Sequence, residues 1–196
     1  MALVATTIAF GQKKEIAAAV KAADAGDNAT AAAQIAAAES AMGGKLYTLE
    51  PAVQEQYYYA KGLSLLKSGK TAEGASYLAK INDLGKNKIY TGKDANKTKV
   101  YYVGKTAADQ SGISGLKEDT YVPNLNGKLG VVVNPLLQKA STEAQAAYDA
   151  NNYVVAGDKF SELYNLLNAA GQDNKQYLYY SAVAYAQGKS PKAIDA

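Results

Sequence analysis

The sequence predicts a mainly α fold: antiparallel helix pairs stacked as an α-solenoid, interrupted by a β-hairpin and long-loop insertion. Three observations predict it. The stretch from Tyr57 to Ile81 reads as two helices folded back on each other. Its landmarks recur elsewhere in the chain at constant offsets. Between residues 86 and 133 the helical period vanishes and β-prone runs take its place.

In the first stretch, Tyr58, Gly62, Leu65 and Leu66 share one helical face. Gly69-Lys70 ends the helix, as a glycine just past a C-terminus does. Thr71 is expected to cap the next helix. Leu78 and Ile81 continue the apolar stripe, with Ala75 one turn earlier. Gly62 and Gly74 are small enough to let the two backbones approach closely.

The chain opens on an apolar run, Met1 to Phe10, ending in Ala9-Phe10-Gly11. This small-x-small pattern predicts the end of a secretory leader, residues 1–11, with cleavage before Gln12. The basic start of such a leader is missing. At about ten residues the run is too short to span a bilayer.

Residues 12–85 are expected to hold two helix pairs. Gly26 lies 43 residues before Gly69, and Ala19, Ala31, Ile35 and Ala38 take the places of Gly62, Gly74, Leu78 and Ile81. Gly43-Gly44 closes the first pair, and Pro51 opens the second. Residues 86–133 form the insertion. Lys88 to Thr91 and Lys99 to Val103 are the β-prone runs, around the turn-rich Gly92 to Lys97. A two-stranded hairpin over 88–103 is predicted, anchored by Tyr90 and Tyr102. Residues 104–130, with five glycines and Pro123, read as a long loop. Val131 to Val133 reads either as a short strand or as a buried approach to the next helix. Residues 134–196 hold the third and fourth pairs, the third starting at Asn134-Pro135 and turning at Asn151-Asn152. The fourth turns at Gly188, 119 residues after Gly69, and stops short at Ala196. A piece of a longer array is therefore expected.

Composition excludes much chemistry. There is no His, Cys or Trp, and all 21 basic residues are Lys. A zinc site of the usual kind, a Cys nucleophile and a Ser-His-Asp triad are thus excluded. Without Arg there is no bidentate fork for phosphate or guanine. A net charge of +3 gives no nucleic-acid footprint. Ser114-x-x-Lys117 lacks its companion motifs. Ser68-Gly69-Lys70-Thr71 lacks the first glycine and the preceding strand of a phosphate loop. Asp94-x-Asn96-x-Thr98 lacks the glycine and glutamate of a calcium loop. The chain is read as non-enzymatic and without cofactor or metal. Tyr is abundant, 16 against 2 Phe, as suits positions with one end buried and one wet. Six lysines between 86 and 105, against Asp94 alone, make the insert basic. That surface, with Lys93, Lys97 and Lys99, reads as a solvated hairpin or as a docking site for an acidic partner.

The helix pairs resemble the tetratricopeptide repeat (TPR) superfamily. Tyr58 and Tyr177 stand at its large aromatic position, and Gly62, Leu65, Gly74, Leu78 and Ile81 at other core positions. Lys61 departs from it where the family prefers Leu. With the leader-like start, the chain resembles exported TPR proteins of Bacteroidota-type bacteria. The resemblance implies a periplasmic or cell-envelope scaffold that binds another protein or peptide on its concave face, with no nucleic acid and no membrane span. That face would carry Tyr59 and Leu63, with Leu66 at its margin, then Gln145 and Tyr148, then Leu178 and Tyr185. The family's carboxylate clamp of Lys, Arg and Asn is not reproduced. The alternative is a structural subunit of an envelope or extracellular complex, self-associating through the insert or through repeat stacking.

Overall fold

A computed structural model describes residues 4–194 of the chain. It is mainly helical, with one small antiparallel sheet. Helices α1 (Val4–Asp24) and α2 (Asn28–Met42) form the first pair, and α3 (Pro51–Lys67) and α4 (Thr71–Lys86) the second. A 3-10 turn, Leu46–Thr48, joins the pairs. Strands β1 (Ile89–Lys93) and β2 (Lys99–Val103), the short helix α5 (Lys105–Gln110) and strand β3 (Lys117–Asp119) make the insert. Helices α6 (Asn126–Asp149), α7 (Tyr153–Ala169) and α8 (Gln176–Gln187) follow, and a 3-10 turn, Pro191–Ile194, closes the described chain. Residues 1–3 of the expected leader and 195–196 of the last pair lie outside the described residues. Helix α1 runs unbroken through the expected cleavage point, and the buried Gln12 side chain donates to the Ala41 carbonyl at 2.9 Å.

Burial repeats at the offsets of the sequence. Ala19 and Ala31 in the first pair, Gly62 and Gly74 in the second, and Ala144 and Ala156 in the third are all buried. So is Ser181, where the fourth pair begins. One turn further on, Ile35 and Leu78 are buried at one position, and Ala38, Ile81 and Leu163 at the next. The close approach is real in the second pair. A Cβ on Gly62 would stand 2.5 Å from Leu78 Cδ2, and one on Gly74 2.8 Å from the Gly62 carbonyl oxygen. Small residues at the crossing bring the axes together, and larger ones above and below fill the gap. Between pairs, helix α3 packs on both α1 and α2, whereas α4 packs on α7 and only slightly on α6, and α8 packs on α7. The later pairs therefore do not stack as the first two do.

Several expectations are corrected. Thr71 is not a cap: it lies within α4, and Lys70 precedes it without a side-chain capping bond. Asp27 does cap α2, accepting from Thr30 N–H at 3.0 Å. The stretch 104–130 is not a continuous loop. It holds α5, β3 and the first turn of α6. Asn134 does not start a helix, Pro135 lies inside one, and Val131 to Val133 are helical. The reason is burial. Leu129 and Val133, one turn apart, extend the buried stripe of Ala140 and Ala144 back past the proline. Proline removes one intrahelical bond, that to the Val131 carbonyl. Val131 is 77% exposed, so water can take the place of the missing donor.

The hairpin forms in the expected place, with Tyr90 opposite Tyr102 and Lys93 opposite Lys99. A third strand, β3, adds to the free side of β1, giving the order β2-β1-β3. The anchors differ from expectation. Ile89 and Tyr101 join the helical core, while Val100 is buried on the opposite face of the sheet. Tyr102 stacks on Tyr47, 5.3 Å between ring centres, whereas Tyr90 bonds only to Glu118 of the insert. The insert is tied down by Glu55 of α3. This buried carboxylate accepts from the Tyr121 hydroxyl at 2.5 Å and the Leu125 N–H at 2.6 Å.

Candidate binding cleft

Three helices frame an apolar cleft of about 370 Å³. The end of α1 gives Ala23 and Asp24. The second half of α3 gives Tyr59, Leu63, Leu66 and Lys67, on one face at helical spacing. The first half of α6 gives Val131, Val132, Pro135 and Leu136. The proline cannot donate a backbone hydrogen bond and presents a flat apolar ring.

A polar clasp borders the cleft at Asp24 and Tyr59. The Tyr59 hydroxyl donates to Asp24 Oδ1 at 2.8 Å, and Lys128 Nζ meets Asp24 Oδ2 at 2.8 Å. Lys128 also lies 5.6 Å from the Tyr59 ring centre, in cation–π range. One carboxylate thus joins α1, α3 and α6. Burial pulls the Asp24 pKa upward, but the bonds from Lys128 and Tyr59 outweigh it and hold it below the usual carboxylate value. Burial, followed by the Asp24 bond, pushes the Tyr59 hydroxyl well above the ordinary tyrosine value.

Of the six residues expected on one groove, Tyr59 and Leu63 line this cleft, beside Leu66. Both are walls, 3% and 8% exposed. Gln145 and Tyr148 sit on the far half of α6, outside it. Gln145 bonds to Asp149, and Tyr148 packs edge-on against Tyr153. Leu178 is half-buried on α8. Tyr185 is buried, its hydroxyl on Asp158 at 2.7 Å. It lines a separate polar depression between the start of α4 and α7. The structure does not gather the six into one surface. Sequence reasoning missed the α6 contribution. Its signal was the apolar spacing Leu129, Val133, Leu136, which begins before Asn134-Pro135.

Most tyrosines are tied into the fold. Tyr57 donates to Glu39 at 2.7 Å, and Lys61 pairs with the same carboxylate. Lys61 and Lys80 each lie 4.7 Å from the Tyr77 ring centre. Burial, with smaller contributions from Asp83 and Tyr77, pushes the Tyr58 hydroxyl up to about 12.

At the hairpin tip, Lys93, Lys97 and Lys99 are all exposed. Asp94 builds the turn, accepting from Asn96 N–H at 2.9 Å and Thr98 N–H at 2.8 Å. Lys97 has a positive φ of 63°.

Among the described residues, no helix is long and apolar enough to cross a membrane. No protein-family model, curated protein or solved structure matches the chain.

Proposed function

We propose that the chain is a non-catalytic protein-interaction scaffold, exported to the bacterial cell envelope, that holds an apolar segment of a partner protein. The observation that carries this reading is the three-helix cleft, in which Leu66, Val131, Pro135 and Leu136 leave apolar surface open to solvent. Its volume is at the lower end of ligand pockets, enough for two or three aliphatic side chains. The resemblance to TPR arrays supports the reading, because first helices of the pairs line it. The absence of His, Cys and Arg supports a binding rather than a catalytic role. The leader-like start supports export.

Peptide display on the full chain tests it. Selected peptides should share aliphatic residues at a fixed spacing. Val131→Asp should weaken their binding by roughly tenfold, the effect of about 1.4 kcal/mol. Its melting temperature should stay within a few degrees, because Val131 is 77% exposed. Peptides without a common spacing, or binding indifferent to Val131→Asp, would refute the reading.

A further inference from the structure

The tip of the insert, between β1 and β2, carries two independent costs to stability. Lys93 and Lys99 are direct partners in the antiparallel register, and like charges placed opposite each other are destabilising. Lys97 occupies the left-handed region at φ 63°, where Gly or Asn is favoured. Lys99 Nζ lies 5.1 Å from the Tyr101 ring centre, but a neutral ring cancels no charge, and the repulsion across the register stays in place. Two other lysines of the insert, Lys88 and Lys105, pair with Glu118 and Asp109 at 3.4 and 3.0 Å. Among the described residues, no carboxylate is within ion-pair distance of Lys93, Lys97 or Lys99. The one acid inside the turn, Asp94, accepts the Asn96 and Thr98 backbone N–H groups. Glu50 acts on Lys99 only at a distance and is itself paired with Lys13 at 3.3 Å.

The Asp94 bonds and the β1–β2 ladder hold these three cations on a fixed frame. The frame is itself anchored, through Tyr101 to the core and through Tyr102 to Tyr47. Cations held on a fixed frame without a carboxylate partner are what a complementary anion relieves.

We infer that this hairpin tip is a docking surface for a carboxylate-rich segment of a partner protein. The tip residues 93–99 read Lys-Asp-Ala-Asn-Lys-Thr-Lys. They contain no aromatic or large apolar side chain to enter a membrane interface, and three lysines alone hold an anionic bilayer weakly. They contain no aromatic ring to stack a base and no guanidinium to grip a phosphate or guanine. Lysine ammonium groups are compact point charges that suit single carboxylates. An extended acidic strand laid over the tip would pair all three.

The test is fluorescence anisotropy of a labelled oligoglutamate peptide with the full chain at low ionic strength. Oligoglutamine, anionic vesicles and single-stranded DNA serve as the other arms. The variant combines Lys93→Gln, Lys97→Asn and Lys99→Gln, which removes the charges and gives the left-handed position a residue that tolerates it. It should lose about tenfold or more in oligoglutamate affinity, the sum of three exposed ion pairs. Its melting temperature should hold or rise. Unchanged oligoglutamate affinity in the variant would overturn the inference. So would equal binding of oligoglutamine, or tighter binding of vesicles or DNA. A clear fall in melting temperature would also overturn it, since the lysines would then serve the fold.

Discussion

Replacing Gly74 by Ala tests whether the second pair is set by backbone contact. The new Cβ would meet the Gly62 carbonyl oxygen at 2.8 Å and Leu66 Cγ at 2.8 Å. Comfortable contact is about 3.5–4.0 Å, so roughly 1 Å must be found. The carbonyl belongs to the α3 hydrogen-bond ladder and cannot turn away. Helices α3 and α4 must therefore separate, which loosens Leu78 and Ile81, both fully buried. Overpacking of this kind costs about 1–3 kcal/mol, and rigid backbone puts this site at the upper end. The better helix propensity of Ala returns up to about 1 kcal/mol. The net loss is about 1–2 kcal/mol, or roughly 2–8 °C in melting temperature for a domain of this size. Gly127→Ala, at a helical glycine with nothing within 4 Å, is the control and should be neutral or stabilising. Urea unfolding followed by circular dichroism measures both. A Gly74→Ala protein as stable as the wild type would show that the pair is not in backbone contact.

Four further outcomes are expected. Glu55→Gln should cost about 2 kcal/mol, because charge-assisted bonds to Tyr121 and Leu125 weaken at a buried site; amide exchange should then rise first over residues 120–126. Acid should destabilise the fold: Asp24, Glu39 and Asp158 all have lowered pKa values, so their contribution is full above about pH 5 and is lost as pH falls through the folded values. Alkali should also destabilise it: the raised Tyr57, Tyr59, Tyr121 and Tyr185 hydroxyls stabilise fully below about pH 10 and lose that contribution as pH rises, so ultraviolet titration should show a late phenolate class appearing with unfolding. N-terminal sequencing of the native protein should find Gln12 first, and retention of residues 1–11 would refute export by cleavage there.

The pairs were legible where local and tertiary signals agree. Gly26 and Gly69 end their helices in the left-handed conformation, both at φ 78°, and that chemistry is written in single residues. The crossing positions were legible because small residues recur at a fixed offset. The start of α6 was not. Asn134-Pro135 is a sound local start signal, and the β-branched Val131 to Val133 argue against helix. Burial of Leu129 and Val133 overrides both. Strand β3 was hidden for the converse reason: Lys117, Glu118 and Asp119 are all exposed and lack an apolar alternation. Only the α3 wall of the cleft was legible. Tyr59 and Leu63 line the cleft between α1, α3 and α6, but the expected continuation onto Tyr148 and Tyr185 assumed uniform stacking. Beyond its own partner α3, α4 packs mainly on α7 rather than on α6, so the later pairs carry those tyrosines elsewhere.

The same clasp that shapes the cleft limits what the cleft can recognise. The Tyr59 hydroxyl is committed to Asp24, and Asp24 also holds Lys128. The Tyr59 hydroxyl is therefore not free for a partner, and its ring, 3% exposed beside Lys128, serves only as wall. Lys67, exposed at the rim and among the described residues without an ion-pair partner, is the polar group left to orient a ligand. A partner segment suited to this arrangement is apolar through its middle and acidic at one end, so that it meets Lys67 without competing for Asp24. Lys67→Glu should then invert the end preference of displayed peptides, selecting a basic residue in place of an acidic one, with aliphatic spacing unchanged. Loss of the aliphatic spacing along with the charge preference would mean that Lys67 shapes the cleft rather than orienting what enters it.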